Sequence, residues 1–384
     1  MSCGVAASAC GSADRPGHYQ RPGASSDGGI WLDGGGSDGP PGADAGGLCG
    51  NQFIPTSENR PNVYFVLDRS STMVENFSGT ASSKYQSASD AIASVLRAVG
   101  HRIQYGAAVF PALNEGCSTG VEVFSTRAGD PSRYAAAGSD GPVLQALVNT
   151  LWRVEPVWSG GGTPTAATLT ALLPVVSALA GQTFVVLATD GEPNCNADAR
   201  CTSADCSLNL RHYSVDGIAC DAIFNCCDPT LVLDGQLSCV DGPPTVAAVG
   251  ALARAGIKTY VIGLPGSEYC ANLLDELAVA GGTASAASPR YLPISSVDQL
   301  SAALMSIGIT LAISCDITLD QAPPDPSLVN VYFDQMVVPS DPDNGWVLGA
   351  DNLLVQIRGA ACNRLMSGDV LEVQVVAGCP TVVY

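Results

Sequence analysis

The central part of this chain alternates between short apolar runs and helical patterns of hydrophobic residues. Residues 63–67 and 183–189 are almost continuously apolar, as expected of strands that are buried on both faces. Further strands are predicted at 103–110, 258–263 and 291–294, and helices at 82–99, 143–151, 166–180 (with a bend or break at Pro174), 245–255, 273–280 and 297–307. Because strands and helices alternate, we predict an α/β fold: a doubly wound, mostly parallel sheet that is covered by helices on both faces.

The pattern is different on either side of this region. Residues 1–58 are rich in Gly, Pro, Asp and Ser and cannot bury enough apolar surface to offset the entropy of ordering, so we predict a disordered spacer. After residue 308 the helical pattern stops, and strand-like runs follow at 316–319, 329–333, 353–357 and 370–376. We therefore predict a small antiparallel β domain over 309–384, after an α/β domain over 59–308.

The charge balance narrows the choice of partners. The 384 residues include 36 acidic and 17 basic side chains, which gives a formal net charge of −19. A surface this acidic repels phosphate backbones, which argues against nucleic acid as a partner. No run of about 18 uninterrupted apolar residues occurs, so no transmembrane segment is expected either.

The 15 cysteines of the chain indicate an oxidising compartment. No two of them have the C-x-x-C spacing of a zinc site, and the three histidines lie far apart in the sequence. Disulfide bonds are therefore the better interpretation. They favour an exported protein at the extracellular or outer-envelope surface.

Seven of the cysteines are concentrated in residues 194–241, which interrupt the α/β pattern, and we predict a disulfide-stapled insertion there. Since seven is an odd number, at least one member is free or pairs outside the insertion, with Cys117 or Cys270 as candidates. The adjacent Cys226 and Cys227 are expected to belong to two different bridges. Because the insertion begins soon after Asp190, we expect it to lie beside the edge of the sheet where Asp190 is. Either it shapes the choice of partner, or it is an addition that resists proteases.

The N-terminal residues bear on how the protein is exported. Met1 to Cys10 contain no basic residue and no long apolar stretch, so they do not form a complete signal peptide. The small residues before Cys10 resemble the end of a bacterial lipoprotein signal, and our hypothesis is that Cys3 or Cys10 carries a lipid anchor. The alternative is an ordinary cysteine-bearing tail.

Oxygen-bearing side chains are concentrated in three short segments. DRSST (68–72) follows the first predicted strand, GGTPT (161–165) precedes a helix, and TDGEP (189–193) ends the strand at 183–189. Ligands of a doubly wound sheet bind beyond the carboxyl ends of its strands, which is where these segments lie. Their carboxylates and hydroxyls are the oxygen donors that a hard divalent cation prefers, and the sequence therefore predicts a metal site.

In this order and spacing, the three segments resemble the metal-ion-dependent adhesion site of von Willebrand factor type A domains. The resemblance covers about residues 59–308. It implies that Mg²⁺, or Mn²⁺ or Ca²⁺, is held by five residues: Asp68, Ser70, Thr72, Thr163 and Asp190. Two positions depart from the family pattern, because Thr72 stands where serine is usual and Ser71 where glycine is usual. Threonine keeps the hydroxyl, whereas the Cβ of Ser71 restricts the backbone of the loop.

The resemblance implies binding and no enzymatic activity. In the family, hydroxyl oxygens ligate the ion directly and the carboxylates act largely through water, so the ion takes an acidic oxygen from a partner. We therefore expect a cation-dependent adhesion or protein-binding module whose partner is a protein or other ligand that offers a carboxylate. Two alternatives stay open: a structural, disulfide-rich envelope protein in which the metal only stabilises the fold, and a metal-assisted hydrolase, for which no base is in motif position.

Overall fold

The computed structural model describes residues 52–54, 60–77, 79–112, 116–158, 160–367, 370 and 372–383. The predictions for Cys3, Cys10 and the rest of 1–51 lie outside these ranges. The strands, in chain order, are β1 (Gln52–Phe53), β2 (Asn62–Asp68), β3 (Gln104–Phe110), β4 (Val121–Ala128), β5 (Thr183–Thr189), β6 (Ser214–Val215), β7 (Ile218–Ala219), β8 (Lys258–Gly263), β9 (Leu292–Pro293), β10 (Asp316–Thr318), β11 (Val329–Phe333), β12 (Met336–Val338), β13 (Trp346–Leu348), β14 (Leu354–Ile357) and β15 (Val373–Ala377). The α-helices are α1 (Lys84–Val99), α2 (Ser132–Ala136), α3 (Pro142–Arg153), α4 (Thr165–Ser177), α5 (Ser207–Leu210), α6 (Gly242–Arg254), α7 (Ala271–Ala280), α8 (Val297–Ala312) and α9 (Gly359–Met366). Within the described ranges, none of the helices is both long enough and apolar enough to cross a lipid bilayer.

Six strands form the central sheet, in the spatial order β4-β3-β2-β5-β8-β9. All neighbours pair in parallel except β4, which runs antiparallel to β3 at one edge. Numbered along the chain, these six strands have the order 3-2-1-4-5-6, which is that of a doubly wound α/β sheet. The strand order reverses between β2 and β5, and ligands of such sheets bind in the crevice outside this switch point.

Alternate residues of β2 face two different hydrophobic cores. Val63, Phe65 and Leu67 pack with residues of α1, α3 and α8 on one side of the sheet. Tyr64 and Val66 pack with residues of α4, α6 and α7 on the other side. Every residue of β2 and β5 is buried, which explains why their sequences are almost continuously apolar. The loops at the carboxyl edge of these strands are therefore held on a well-packed support.

The C-terminal part has a third hydrophobic core, to which two small antiparallel sheets contribute. One sheet has the order β1-β15-β11-β12 and the other the order β10-β14-β13. Helix α9 adds Ala361 and Leu365 to this core, and its Cys362 forms a disulfide with Cys315. Strand β1 pairs with β15, although its residues lie within the range 1–58 that the sequence assigned to the spacer.

Most predicted elements are present, with ends that differ by a few residues. The strands at 183–189 and 258–263 have the predicted bounds. Of the bend or break predicted at Pro174, the break is absent, because α4 continues through this residue to Ser177. Strand β4 was not predicted from the sequence. It is an edge strand with polar residues such as Glu122 and Thr126, so it lacks the apolar run of an inner strand. Helix α9 was also missed, between two predicted strands of the C-terminal part.

Candidate metal centre

Three loops meet at the carboxyl edge of the central sheet, at its switch point. The first loop contains residues 68–72, the second 161–165 and the third 189–193. Asp68 is the last residue of β2, and Asp190 directly follows β5. These two strands are neighbours, with Leu67 paired to Ala188. Thr163 lies two residues ahead of the start of α4. The strand order thus brings the two carboxylates to the same end of adjacent strands.

Asp68 is fully buried and is hydrogen-bonded at both carboxylate oxygens. Its Oδ1 accepts from the backbone N–H of Ser70 (2.7 Å), and its Oδ2 accepts from the hydroxyl of Thr189 (2.5 Å). Burial raises the pKa of Asp68 to about 7, and the negative charge of Asp190 contributes to this rise. A cation between these two carboxylates would relieve their repulsion.

The hydroxyl groups of Ser70 and Thr72, in the first loop, form a series of contacts that ends at the Asp190 carboxylate. Thr72 donates from Oγ1 to Oδ1 of Asp190 (2.8 Å), and Ser70 Oγ lies 3.2 Å from Thr72 Oγ1. Ser70 and Asp190 are both buried. A continuous series of oxygen atoms therefore runs from Ser70 through Thr72 to Asp190, while Asp68 holds the backbone of the same loop.

Thr163 faces the same space from the second loop. A Cβ atom added to Gly191 would lie 3.7 Å from Thr163 Oγ1 and 3.9 Å from Thr72 Oγ1, so both hydroxyl oxygens lie within 4 Å of one point. The backbone of Thr163 is paired with Asn194, whose Oδ1 accepts from the Thr163 N–H (2.7 Å) and whose N–H donates to the Thr163 carbonyl (2.9 Å). The structure thus brings together all five side chains that were predicted from the sequence; their role as metal ligands stays a prediction.

Ser71, which stands where glycine is usual in the family, fits the first loop without strain. Its φ is not positive, so the Cβ has no conformational cost of the kind that glycine avoids. Its N–H and its hydroxyl both donate to the carbonyl oxygen of Gly161, at 3.1 and 3.2 Å. These bonds hold the first loop against the second, and glycine could make only the backbone one.

Two basic side chains that the sequence analysis did not connect with the site lie against Asp190. Lys84 places its Nζ 2.7 Å from Asp190 Oδ2 and 2.7 Å from Glu75 Oε2. Arg211, from the insertion, donates from Nη2 to the backbone carbonyl of Asp190 (3.0 Å) and from Nε to the buried Glu192 (3.0 Å). Lys84 and Arg211 are 106 and 21 residues away from Asp190, so no local spacing could have indicated these contacts.

Cystines hold the insertion together. Three disulfides lie within it: Cys201–Cys239, Cys206–Cys227 and Cys220–Cys226. This confirms that the adjacent Cys226 and Cys227 belong to different bridges. The sulfur atoms of Cys201, Cys227 and Cys239 lie within 4.8 Å of one another, but all three are in disulfides and therefore offer no thiolate to a metal.

A fourth disulfide ties the insertion to the second loop. Cys195 pairs with Cys117, as predicted for one of the two candidate partners, and the other candidate, Cys270, is a buried free thiol. A Cβ atom on Gly162 would overlap with the sulfur of Cys195 and crowd that of Cys117, so the bridge packs directly against the residue before Thr163. The insertion therefore borders the candidate metal centre.

The donor set at this edge of the sheet fits a hard divalent cation. It consists of two carboxylates and three hydroxyl groups, which are all oxygen donors. The repulsion between Asp68 and Asp190 favours a positive charge between them. Mg²⁺, Mn²⁺ and Ca²⁺ are therefore the ions that this centre suits.

A groove with two exposed tryptophans borders the first loop. It has a volume of about 360 Å³, and its lining includes Val74, which is two residues from Thr72, together with Tyr85, Trp152 and Trp158. Trp152 is 59% exposed and Trp158 is 76% exposed. Exposed aromatic residues that line a common groove are typical of interaction surfaces.

Comparisons with known proteins give distant similarities only. No protein-family model and no curated protein matches this chain. Similar solved structures include the PilB minor pilin from Streptococcus sanguinis (16% identity, TM-score 0.42), the pilus adhesin SpaC from Lactobacillus rhamnosus GG (14%, 0.45) and the vWF domain of the type V pili tip protein Mfa5 from Porphyromonas gingivalis (13%, 0.41).

These three matches cover 68%, 84% and 68% of this chain, respectively. They cover 62% of the PilB chain, 40% of the SpaC chain and 96% of the Mfa5 domain, so this chain spans less than two thirds of the first two proteins. At such identities and scores the similarity carries no conclusion about function. The assignment of a doubly wound α/β fold rests on the strand order of the sheet.

Proposed function

We propose that this protein is a divalent-cation-dependent adhesion or protein-binding module at the cell surface. The observation that carries the proposal is the pair of buried carboxylates, Asp68 and Asp190, which hydroxyl groups surround at the switch point of the sheet. When bound, Mg²⁺ (or Mn²⁺ or Ca²⁺) supplies an electrophilic position that a carboxylate of the partner can fill. The proposed ligands are Asp68, Ser70, Thr72, Thr163 and Asp190.

The chemistry around the centre supports binding over hydrolysis. A metal-assisted hydrolase needs a general base within reach of the metal-bound water. His101 precedes β3 and therefore lies at the amino-terminal end of the parallel strands, whereas Asp68 lies at their carboxyl end. His212 is an exposed residue of the insertion. Glu192, the carboxylate that lies two residues after Asp190, is ion-paired with Arg211.

The surroundings of the centre support an exported protein with a polypeptide partner. Five disulfides join described residues, and such bonds persist in oxidising compartments. The groove beside Trp152 and Trp158 would receive an apolar side chain close to the carboxylate that reaches the metal. The domain division into 1–58, 59–308 and 309–384 is part of the same proposal, except that β1 and Ile54 belong with the C-terminal core. The lipid anchor at Cys3 or Cys10 is part of it as well.

Calorimetric titration of Mg²⁺ tests the metal centre. The wild type should bind one ion, and Asp68→Ala should lose this binding because it removes one of the two carboxylates. Thr163→Val, which removes only a hydroxyl, should weaken binding by at least about tenfold. Thr170→Val is the matched control, since the Thr170 hydroxyl bonds the backbone of its own helix at Ala166. Equal binding by Asp68→Ala and the wild type would rule out the site.

A second measurement separates adhesion from a purely structural metal. Mn²⁺ that keeps an exchangeable water accelerates the relaxation of bulk water protons, so a carboxylate probe that displaces this water should slow the relaxation. We expect glutarate to do so with the Mn²⁺-loaded wild type, and EDTA to leave the circular dichroism of the protein unchanged. If glutarate has no effect and EDTA unfolds the protein, the metal serves only the fold.

A further inference from the structure

Lys84 is a buried cation that already lies on one side of the candidate metal centre. Its side chain is only 4% exposed, and its Nζ contacts both Asp190 Oδ2 and Glu75 Oε2 at 2.7 Å. The backbone around it is fixed as well. Ser83 caps α1 by accepting from the N–H of Gln86, and the Lys84 N–H donates to the carbonyl of Glu75 (2.9 Å).

The position of this ammonium group depends on its partners. An ammonium group away from water is costly unless carboxylates compensate it. Carboxylate oxygens of Glu75 and Asp190 each lie 2.7 Å from the Nζ and compensate its charge. Lys84 therefore places a positive charge beside the site.

The contacts of the two site carboxylates differ. Each oxygen of Asp190 has a donor from this chain, Thr72 at Oδ1 and Lys84 at Oδ2. The hydrogen bonds of Asp68 come from uncharged groups, the N–H of Ser70 and the hydroxyl of Thr189. A divalent cation that enters the centre must therefore share Asp190 with an ammonium group that repels it.

We propose that Lys84 is an internal counter-cation of the metal centre, which stabilises the carboxylates when no metal is bound and lowers the affinity for the divalent cation. The inference rests on the proposed function, because it needs the metal to bind beside Asp190. Its consequence is that the ion exchanges with the surroundings and that the domain stays folded without it. Adhesion would then follow the external concentration of the cation.

A different role for Lys84 predicts that metal affinity changes in the opposite direction when the ammonium group is removed. If the ammonium group only positions the Asp190 carboxylate for the metal, its removal should weaken metal binding. If it competes with the metal, its removal should strengthen metal binding and make the metal-free protein less stable. The direction of the change in affinity therefore decides between a positioning residue and a counter-cation.

The test uses Lys84→Met, which keeps much of the length of the side chain and removes its charge. In calorimetric titrations we expect this variant to bind Mg²⁺ at least about tenfold more tightly than the wild type, because the repulsion by a nearby positive charge is gone. In EDTA its unfolding midpoint should fall by several degrees, and saturating Mg²⁺ should restore it. Unchanged or weaker Mg²⁺ binding would overturn the proposal.

The chain supplies its own controls. Lys258 is the only other lysine of the sequence and is exposed at the start of β8, so Lys258→Met should match the wild type in both measurements. Lys84→Arg keeps the charge and should not gain affinity. If the wild type does not bind Mg²⁺ at all, the proposed function itself fails; if it binds and Lys84→Met gains nothing, only the inference about Lys84 fails.

A measurement on the wild type covers the case in which Lys84→Met does not fold. With two lysines in the chain, amine acylation followed by mass spectrometry reports Lys84 against Lys258 directly. Saturating Mg²⁺ should raise the ratio of Lys84 to Lys258 labelling, since the ion takes over Asp190 and releases the ammonium group. A ratio that stays constant on Mg²⁺ addition would contradict the competition.

Discussion

The central sheet and the insertion at 194–241 border the same candidate site, but different forces stabilise them. The sheet has two cores of apolar side chains, and Leu252 on α6 is a typical member. The buried cluster of the insertion consists of cysteines, whereas large apolar residues such as Ile223 and Leu233 are 94% and 89% exposed. A segment without an apolar core can therefore still be fixed beside a functional edge when covalent bonds replace hydrophobic burial.

The two regions also contribute differently to the site. The sheet determines where Asp68 and Asp190 lie, because they end adjacent parallel strands. The insertion holds the loops around them, through the Cys117–Cys195 bridge beside Gly162 and through Arg211 at the carbonyl of Asp190. Damage to the sheet should therefore affect the whole domain, and damage to the insertion should affect mainly the shape of the metal edge.

The largest effect is expected from a leucine-to-alanine change in the sheet region. Leu252→Ala empties a position that is 1% exposed, and we expect it to lower the free energy of unfolding by about 2–5 kcal/mol. The same change in the insertion, Leu233→Ala, should cost less than about 0.5 kcal/mol because that side chain is in water. Chemical denaturation of both variants checks this difference, and equal losses would show that the insertion has an apolar core after all.

Reduction of the disulfides should act on the insertion first. A cross-link of this kind contributes about 2–4 kcal/mol, and without its bridges the insertion has little buried apolar surface to keep it ordered. Hydrogen exchange read by mass spectrometry should show lost protection in peptides of 201–239 and retained protection in β5. The C-terminal part is the internal control, since it loses the Cys315–Cys362 bridge but keeps its hydrophobic core. Protection of 201–239 that survives full reduction would contradict the comparison.

The inner strands and the candidate ligands could be predicted because their signals are local in the sequence. β5 and β8 are apolar runs with sharp ends, and Asp68, Ser70 and Thr72 lie within five consecutive residues. A parallel sheet then places the ends of its strands at one edge, so that separate segments meet there. The common position of Asp68, Ser70, Thr72 and Asp190 follows from these two facts, whereas Thr163 lies between α3 and α4 and follows no strand of the sheet.

The remaining features depend on contacts between distant residues. Nothing in the sequence links Lys84 to Asp190, because their contact needs the start of α1 and the end of β5 to be packed together. The disulfide partners of the insertion were undetermined for the same reason, since seven cysteines permit many pairings. β1 is a two-residue strand that pairs with β15 at the far end of the chain, and a signal this short has no pattern of its own.

The smallest effect is expected from a substitution of Arg211, a side chain of the insertion that contacts the loops at the carboxyl edge of the central sheet. Arg211 spans three acceptors: Glu192 Oε2 at 3.0 Å, the carbonyl of Asp190 at 3.0 Å and the carbonyl of Gly266 at 3.3 Å. Arg211→Lys keeps the positive charge beside the buried Glu192, but one ammonium group cannot reproduce the planar fork that reaches all three. We expect a loss of about 1 kcal/mol in unfolding free energy and a fall in Mg²⁺ affinity of less than about tenfold.

The control for this substitution comes from the same insertion. Arg200 is exposed and bonds only carbonyls of its own loop, at Ala197 and Ala199, in the contacts that the structure describes for it, so Arg200→Lys should change neither quantity. Denaturation and Mg²⁺ titration of the two variants side by side measure how strongly the insertion supports the metal edge. If Arg211→Lys equals Arg200→Lys in both, the support comes from the Cys117–Cys195 bridge and the Asn194–Thr163 hydrogen bonds, and the contacts of Arg211 add nothing to it.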